Sequence, residues 1–385
     1  MHKKKIIRTS TVPITLDNLL RGQLAFLDRY YDVIAVSGEG ENLRAVEQRE
    51  QVTVIPLQMY RNIKPFHDLV SLWKLYRLFK KERPFLVHSM TPKAGLLTMT
   101  AGWLARIPVR AHTFTGLVFP SKTGAMQKLL ILMDRLLCRF ATDIFPEGEG
   151  VKRDLQHFDI TKKPLTIIGN GNVNGIDTDF FNPDKIDESE KNQLRASLSI
   201  APDDFVFIFV GRLVKDKGIT ELVGAFLEMT ALHANVKLLL VGDYEPELDP
   251  LPAGTIRAIE SEKNIITTGW QTETRNFYAI SDALVLPSYR EGFPNSVLQA
   301  GAMGLPSIVT DINGSNEIVI PRKNGLIVAP KNQSELLGAM LEIYDDKELF
   351  ALMRQNARPS IVERFSQTEL WNALLAKYRS LENKK

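Results

Sequence analysis

Short apolar runs rich in Val, Ile and Phe alternate along this chain with longer stretches in which apolar residues recur at helical spacing. Such alternation is typical of βαβ units that form a parallel sheet, and it occurs once in each half of the chain. The longest predicted helices are Phe66–Lys81 and Ala125–Phe140. The predicted strands are Lys5–Arg8, Asp32–Ser37, Val52–Leu57, Phe85–Ser89, Arg110–Phe114, Asp143–Pro146 and Leu165–Ile168, followed in the second half by Phe205–Val210, Lys237–Val241, Ile265–Thr268, Ala283–Pro287, Ser307–Thr310 and Leu326–Val328.

The length agrees with two such sheets, because 385 residues exceed what a single hydrophobic core usually serves. A polar stretch from Asn170 to Pro202, with a run of charges at Asp184–Lys191, separates the halves and is interpreted as a linker. We therefore expect an α/β fold with one domain at residues 1–180, a second at residues 181–365 and a C-terminal segment at residues 366–385. Since open α/β sheets bind ligands at the carboxyl ends of their strands, we expect the functional site there.

Composition limits the environment of the protein. No apolar run approaches the roughly 18 residues of a membrane span, and the basic residues Lys3–Lys5 precede only two apolar residues where a signal peptide needs a longer run. A cytoplasmic protein is expected. The single cysteine, Cys138, lies in an apolar helical pattern that favours a buried structural thiol.

Charge is divided unevenly along the chain. Residues 1–180 carry 26 Lys and Arg against 17 Asp and Glu, a net charge of +9, whereas the remainder carries 22 against 28, a net charge of −6. A basic half can bind nucleic acid, an anionic membrane or a phosphorylated ligand. The alternative is that the positive charges are scattered over a solvated surface. No nucleic-acid recognition motif is present, so we expect no nucleic-acid partner.

The segment between Phe66 and Arg83 concentrates this positive charge on an amphipathic helix. Its apolar residues are interleaved with cations, and Glu82 is the only acidic residue after Asp68. The pattern is compatible with peripheral contact with an anionic membrane. The alternative is an ordinary helix that packs on its own sheet and has a solvated basic face.

The sequence GRLVKDKG at residues 211–218 follows a predicted strand and precedes a helical pattern. Glycine lets the backbone approach a ligand closely, a helix N-terminus offers free N–H groups, and arginine presents a fork that matches a phosphate. The segment therefore predicts a phosphate site, with a basic surface turn as the alternative.

A second segment, PSYREGFPNSVLQAGAMGLP at residues 287–306, also follows a strand and begins a helix. Glu291 lies in the turn and Gln299 about two helical turns later. A carboxylate beside a phosphate-binding helix N-terminus can accept hydrogen bonds from sugar hydroxyls.

Together the two segments, about 75 residues apart, resemble the donor-binding signature of glycosyltransferase family 4. The resemblance continues through GW at residues 269–270, DINGSNE at 311–317 and NGL at 324–326. In the first half, HSMTPKAG at residues 88–95, HTFTG at 112–116 and NGID at 174–177 are similar to segments of bacterial polysaccharide-building members. The resemblance implies the GT-B fold, which is two facing Rossmann-like domains with parallel sheets and an interdomain cleft. It also implies an N-terminal acceptor-binding domain, a C-terminal nucleotide-sugar-binding domain and a C-terminal helix that crosses back to the first.

By this resemblance, Arg212 and Lys217 hold the donor diphosphate and stabilise the charge on the leaving group, while Glu291 binds hydroxyls of the donor sugar. Position 299 is usually a ribose-binding glutamate in the family, and Gln299 departs from that pattern while keeping the capacity to bond a hydroxyl. His112 is implied to lie near the donor sugar. The remaining implied donor contacts are Gly211, Phe293, Pro294, Asn295 and Ser296.

The resemblance further implies a retaining hexosyltransferase that needs neither a metal nor a cofactor. Its donor would be a nucleotide-diphosphate sugar, UDP-linked, and its acceptor lipid-linked or a saccharide. The product would belong to a capsular polysaccharide, exopolysaccharide or lipopolysaccharide. A nucleotide-sugar epimerase on the same fold and a non-catalytic nucleotide-sugar binder are the alternatives.

Three other site types are disfavoured by the sequence. A dinucleotide fingerprint at residues 38–43 has Leu43 in place of its third glycine and no acidic residue near position 60. Asp177 and Asp179 resemble a metal-binding D-x-D pair but follow the last predicted strand of the first half. His88 and His112 end strands without a Cys, Asp or Glu at ligand spacing, so we expect no metal site.

Overall fold

The computed structural model describes residues 3–60, 62–245, 247 and 249–382, and the chain divides into two compact units. The first unit comprises Met1–Gly175 with Gln367–Lys385, and the second comprises Ile176–Ser366. In the described ranges we find no helix that combines the length and the apolar character required to span a bilayer.

The first unit is built on a parallel six-stranded sheet of order β3-β2-β1-β4-β5-β6. Successive side chains of a strand face opposite sides of a sheet. Accordingly Ile6 packs into a hydrophobic cluster on one face and Ile7 into a cluster on the other. The strands are β1 (Lys5–Thr9), β2 (Asp32–Ser37), β3 (Thr53–Pro56), β4 (Leu86–Ser89), β5 (Val109–Phe114) and β6 (Asp143–Pro146).

Helices cover both faces of this sheet. One face carries the helices near the start of the chain, and the other carries a layer in which α5 packs against both α4 and α6. The helices are α1 (Pro13–Leu19), α2 (Gln23–Asp28), α3 (Glu41–Glu50), α4 (Pro65–Glu82), α5 (Pro92–Leu104), α6 (Gly124–Phe140) and α7 (Glu149–His157).

The second unit repeats this architecture around one large hydrophobic cluster, with a parallel sheet of order β12-β11-β10-β7-β8-β9. Its strands are β7 (Phe205–Val210), β8 (Val236–Val241), β9 (Ile265–Gly269), β10 (Ala283–Leu286), β11 (Ser307–Thr310) and β12 (Gly325–Val328). Its helices are α8 (Glu188–Ser197), α9 (Ile219–Thr230), α10 (Ala253–Ser261), α11 (Arg275–Ala279), α12 (Asn295–Ala302), α13 (Ser315–Ile318), α14 (Gln333–Asp345) and α15 (Lys347–Phe365).

The last helix, α16 (Gln367–Glu382), belongs to the first unit. Its residues Leu374 and Leu381 complete the cluster that also contains Ile6. The Tyr378 hydroxyl accepts a hydrogen bond from Arg8 at 3.3 Å and lies 2.6 Å from Nδ1 of His88. This helix is therefore part of the core of the first unit.

Twelve of the thirteen predicted strands overlap an observed strand, but the strand predicted at Leu165–Ile168 is wrong. Only Leu165 pairs there, as an isolated bridge to Ile144 of β6. The run is short, and the chain turns away at Gly169 and Gly171, both of which have positive φ. A short apolar run at a sheet edge therefore does not extend the sheet.

The linker interpretation of Asn170–Pro202 is also wrong, because most of this stretch is structured within the second unit. Asp187 caps α8 by accepting a hydrogen bond from the Ser189 amide at 2.8 Å. Leu194 and Leu198 pack against the core of that unit. Most of the charged side chains in the run at residues 184–191 are exposed, which explains the polar pattern.

Candidate functional site

Strands β7 and β10 lie side by side in the second sheet, and the chain leaves this pair in opposite directions. It continues from β7 to β8 and β9 on one side, and from β10 to β11 and β12 on the other. Open α/β sheets bind ligands outside the carboxyl ends of the strands at such a switch point. Residues 211–218 follow β7 and residues 287–294 follow β10, so the fold brings the two predicted motifs together.

Close backbone contacts hold the two turns against each other. Gly218 has φ of +69°, and a Cβ atom there would lie 2.1 Å from the carbonyl oxygen of Pro287. The amide of Tyr289 donates a hydrogen bond to the carbonyl of Asp216 at 2.8 Å. Position 218 therefore requires glycine both for its backbone conformation and for the approach of the second turn.

The side chains of the two turns meet in an ion pair. Lys217 Nζ lies 2.5 Å from Glu291 Oε1, and Ser288 Oγ donates a hydrogen bond to the same oxygen at 2.8 Å. Lys217 and Glu291 are both largely buried. Arg212 is more exposed and pairs with Glu245, which follows β8. Both predicted cations thus lie in the turn after β7, and each is paired with a carboxylate that follows a neighbouring strand, β8 for Arg212 and β10 for Lys217.

Helix α12 begins beside these groups. Its first residues, Asn295 and Ser296, are partly exposed, and the first N–H groups of a helix lack partners within it. Phe293 and Pro294 are buried, and the Phe293 ring packs edge-on against Phe365 with centroids 5.4 Å apart. A ligand at this helix would therefore meet the backbone of residues 293 and 294, while the Phe293 side chain belongs to the core.

Gln299 lies one to two turns into α12 and is held by a buried tyrosine. The Tyr278 hydroxyl donates a hydrogen bond to Gln299 Oε1 at 3.1 Å. Burial raises the pKa of Tyr278 above its usual range, so this hydroxyl stays protonated and remains a donor. The amide group of Gln299 then keeps its two N–H hydrogens for a ligand oxygen.

The two histidines of the first unit have different surroundings. Both ring nitrogens of His88 are engaged, by Tyr378 at 2.6 Å and by Thr113 at 2.7 Å. His112 Nδ1 lies 2.7 Å from Ser89 Oγ, and the part of the chain that the structure describes supplies no hydrogen-bond partner for Nε2. Burial lowers the pKa of His112 to about 3, so its imidazole is neutral at physiological pH.

The residues considered as metal ligands in the sequence analysis form hydrogen bonds within the protein. Asp177 Oδ1 accepts hydrogen bonds from the amides of Asp179 and Phe180, at 3.1 and 2.9 Å, which closes a local turn. Across the described residues, no three His, Cys, Asp or Glu side chains converge on a point where they could share a metal ion. Cys138 is buried, as expected, and burial raises its pKa to about 12.

Three residues of the site escaped the sequence interpretation: Ser288, Tyr278 and Glu245. Ser288 lies inside the second motif, three residues before Glu291, so its hydrogen bond to Glu291 could have been inferred from the local sequence. Tyr278 and Glu245 contact the site from other loops and helices, and no local pattern marks them. Only the sheet order places them beside Gln299 and Arg212.

Comparison with known proteins finds family models that match both halves of the chain. Residues 190–360 match the family model of glycosyl transferases group 1, and residues 20–171 match that of the glycosyl transferase 4-like domain. The chain is 32% identical over 382 residues to the capsular polysaccharide biosynthesis glycosyltransferase CapM of Staphylococcus aureus, covering 99% of this chain and 98% of that protein.

Two further similarities bear on the ligand and the fold. The UDP-Gal:alpha-D-GlcNAc-diphosphoundecaprenol alpha-1,3-galactosyltransferase of Escherichia coli is 30% identical over 313 residues, covering 80% of this chain and 78% of that protein. The crystal structure of Anabaena Alr3699/HepE in complex with UDP has a TM-score of 0.80 at 18% identity, over 98% of this chain and all of that one. At that identity the likeness shows the fold alone.

Proposed function

Because the chain belongs to glycosyltransferase family 4, we propose that it moves a hexose from a nucleotide-diphosphate sugar to a lipid-linked or saccharide acceptor with retention of anomeric configuration. The family makes the protein a glycosyltransferase, and its two parallel sheets form the α/β GT-B fold. In the proposed reaction, the bond from the anomeric carbon to the diphosphate oxygen breaks and a bond to an acceptor oxygen forms. The acceptor proton leaves with the diphosphate.

The observation that carries this proposal is the pairing of Lys217 with Glu291 at the switch point of the second sheet. A cation for the diphosphate and a carboxylate for the sugar hydroxyls lie side by side, as the two halves of a nucleotide sugar require. Arg212 adds a second cation from the same turn. The second unit is therefore the proposed donor-binding domain, and the first the acceptor-binding domain.

The departing diphosphate gains negative charge, and stabilising that charge is the main task of the site. Lys217 and Arg212 would supply positive charge, and the N-terminus of α12 would supply N–H groups at Asn295 and Ser296. Gln299 would bond the ribose. The turn at Gly211 leaves room for the diphosphate because it carries no side chain. The proposal includes neither a metal nor a cofactor, because these groups would supply the positive charge and the hydrogen bonds that the leaving diphosphate needs.

A UDP-linked donor is supported by two of the similar proteins. The name of the Escherichia coli relative specifies UDP-Gal, and the Anabaena protein was crystallised with UDP. The same Escherichia coli name specifies a diphosphoundecaprenol acceptor, and the Staphylococcus aureus relative is named for capsular polysaccharide biosynthesis. We therefore place the reaction in the assembly of a capsule or lipopolysaccharide, on a lipid-linked acceptor at the cytoplasmic side of the membrane.

Peripheral membrane contact is supported by the surface of α4 and α6. Phe66 is 76% exposed and Leu132 is 62% exposed, and exposed apolar patches of this kind commonly mark interaction sites. Residues 62–142 carry 13 Lys and Arg against 3 Asp and Glu, which suits an anionic lipid surface. Other apolar side chains exposed on these two helices are Leu69, Val70, Trp73, Met126, Leu129 and Leu136.

The proposal is tested by incubating the protein with UDP sugars, with and without a diphosphate-linked lipid acceptor, in excess chelator. We expect release of UDP that depends on the acceptor, and a product whose new glycosidic bond has the donor's anomeric configuration by NMR. Inversion at a ring carbon of the free sugar would identify an epimerase instead. Binding of UDP sugars without turnover in the presence of every acceptor tested would identify a non-catalytic binder. A strict requirement of turnover for Mg²⁺ or Mn²⁺ would refute the metal-independent site.

A further inference from the structure

A cavity of about 540 Å³ lies in the first unit at the amino ends of β1, β4 and β5. Its lining comes from the start of β1, the end of α4 with the turn that follows it, and the turn that joins α5 to β5. The volume is within the usual range of small-molecule sites. Open α/β sheets bind the ligands of their main site at the carboxyl ends of the strands, so this cavity lies at the opposite edge of the sheet.

Five cationic side chains line the cavity, and the described part of the lining contains no Asp or Glu. Lys4 is paired with Glu382 at 2.8 Å. Lys5 is paired with Glu82 at 2.6 Å. The other three side chains are exposed and form neither ion pairs nor hydrogen bonds with the residues that the structure describes; they are Lys80, Arg83 and Arg106. Three positive charges thus converge on one cavity without a counter-charge of their own.

Both arginines occupy backbone positions that favour glycine. Arg83 ends α4 with φ of +47°, and Arg106 follows the end of α5 with φ of +60°. A side chain is strained in this left-handed region, so glycine is the usual residue there. The negative ends of the two helices attract cations, but each supplies only about half a unit of charge. The helix ends therefore leave most of the positive charge in the cavity unbalanced.

The rest of the lining is mostly apolar. Phe79 and Ile107 are buried, Phe85 is partly buried and Pro108 is exposed. Lys4 Nζ lies 5.0 Å from the centroid of the Phe85 ring, so a cation and an apolar face are adjacent. A ligand that matches both parts of the lining carries an anionic group on a carbon body.

We propose that this cavity binds a phosphate monoester, with the phosphate at Lys80, Arg83 and Arg106 and the ester carbons against Phe85 and Pro108. The planar fork of arginine matches two phosphate oxygens, and a phosphate monoester carries a charge of about −1.5 to −2 at neutral pH, more than a carboxylate. A lipid headgroup and a soluble phosphate ester offer this same chemistry, and the experiment separates the two sources. The site is separate from the proposed transfer reaction.

Calorimetric titration of the full chain tests the proposal, with UDP present in excess to occupy the proposed diphosphate site. The probes are sn-glycerol 3-phosphate and dihexanoylphosphatidic acid, the latter below the concentration at which it forms micelles. We expect both to bind, and succinate, a dicarboxylate, to bind at least about tenfold more weakly. If the lipid binds at least about tenfold more tightly than glycerol 3-phosphate, the source is a lipid headgroup, and equal affinity indicates a soluble ester. The proposal is overturned if neither ester binds or if succinate binds equally well.

Glycine variants remove the cations at positions where the backbone favours glycine. Arg83→Gly and Arg106→Gly should therefore keep the fold, which thermal unfolding verifies. We expect each variant to weaken binding of both esters by roughly fivefold and the double variant by roughly 25-fold, as for cations that act independently. Arg322→Gly is the matched control, because Arg322 is also exposed and has φ of +60° but belongs to the second unit. Unchanged affinity in the double variant, or an equal loss in the control, would contradict the assignment of the site.

Discussion

Lys217 and Glu291, 74 residues apart in the sequence, share a 2.5 Å ion pair between the turns that follow β7 and β10. The cation proposed for the diphosphate and the carboxylate proposed for the sugar are thus each other's partner before a donor binds. A nucleotide sugar would draw Lys217 towards its phosphates and leave Glu291 free to accept hydrogen bonds from hydroxyls. We therefore expect donor binding and sugar recognition to be coupled through this one contact.

The cations should be required for turnover. We expect Lys217→Ala and Arg212→Ala each to lower kcat by roughly 100-fold or more, as removal of a single electrostatic donor does in other active sites. Arg322→Ala is a matched control, because Arg322 is 60% exposed and paired with Glu342, much as Arg212 is 56% exposed and paired with Glu245. Steady-state kinetics with a saturating acceptor measures the effect, and near-normal rates in both site variants would rule out the diphosphate role.

Glu291 should recognise the sugar and not the nucleotide. We expect Glu291→Gln to reduce transfer at least 10-fold, because a sugar hydroxyl would lose a charged acceptor, while UDP affinity changes less than threefold. Calorimetry with UDP and kinetics with the UDP sugar separate the two effects. An equal loss of UDP binding and transfer would assign Glu291 a structural role, as the partner that holds Lys217.

Gln299 should contribute to nucleotide affinity through its amide group. We expect Gln299→Ala to weaken UDP binding by about fivefold, the equivalent of one neutral hydrogen bond, and Gln299→Glu to bind normally because a glutamate can also accept from Tyr278. Gln193→Ala, an exposed glutamine of α8, is the control. If the alanine variant binds UDP as the native protein does, the ribose is held by other residues.

The buried histidines should make the first unit sensitive to acid. Burial lowers the pKa of His112 to about 3, and burial followed by the charge of Arg8 lowers the pKa of His88. Below pH 6.5 the unfolded chain therefore binds more protons than the folded one, so stability is complete above that pH and is lost as the pH falls. For His112 the loss should be roughly 2 kcal/mol between pH 7 and pH 5, and His88 should add to it in the same direction.

Urea unfolding followed by tryptophan fluorescence checks this dependence, since three of the four tryptophans belong to the first unit. His112→Gln should reduce the loss by one histidine's share, whereas the exposed His67→Gln should leave it unchanged. The same slope in all three proteins would show that other groups cause the acid sensitivity.

The basic apolar surface of α4 and α6 should bind anionic vesicles. We expect co-sedimentation at low salt, release at high salt and poor binding to neutral vesicles. Replacing Lys74, Lys80 and Lys81 by Glu should weaken binding by at least 100-fold, since each charge near the surface contributes about 1 kcal/mol. Hydrolysis of the donor should persist. The control replaces three exposed lysines of the second unit, Lys185, Lys263 and Lys323, by Glu. Vesicle binding that is unaffected by salt and by either set of substitutions would refute electrostatic docking.

The sequence pattern predicted the sheets well, because buried parallel strands are short apolar runs closed by Gly, Pro, Asp or Ser. The pattern wrongly predicted a strand at Leu165–Ile168, where the apolar run does not form a strand. It also wrongly predicted a linker at α8, where the charged segment is helical. In both cases the outcome depends on what the segment packs against. Neighbouring elements are not visible in a local pattern.

The site was predictable in its motifs but not in its contacts. Glycine turns and cations after strands indicated where a phosphate could bind. The pairing of Lys217 with Glu291 requires β10 to lie beside β7, and the bond from Tyr278 to Gln299 requires a helix from outside both motifs.

The membership of α16 in the first unit has a consequence for the order of folding on the ribosome. The second unit is one contiguous segment, Ile176–Ser366, and can complete its core as soon as that segment has emerged. The first unit needs Leu374, Tyr378 and Leu381, which are synthesised more than 220 residues after its last strand, β6. The half of the protein that is made first is therefore the half that finishes folding last.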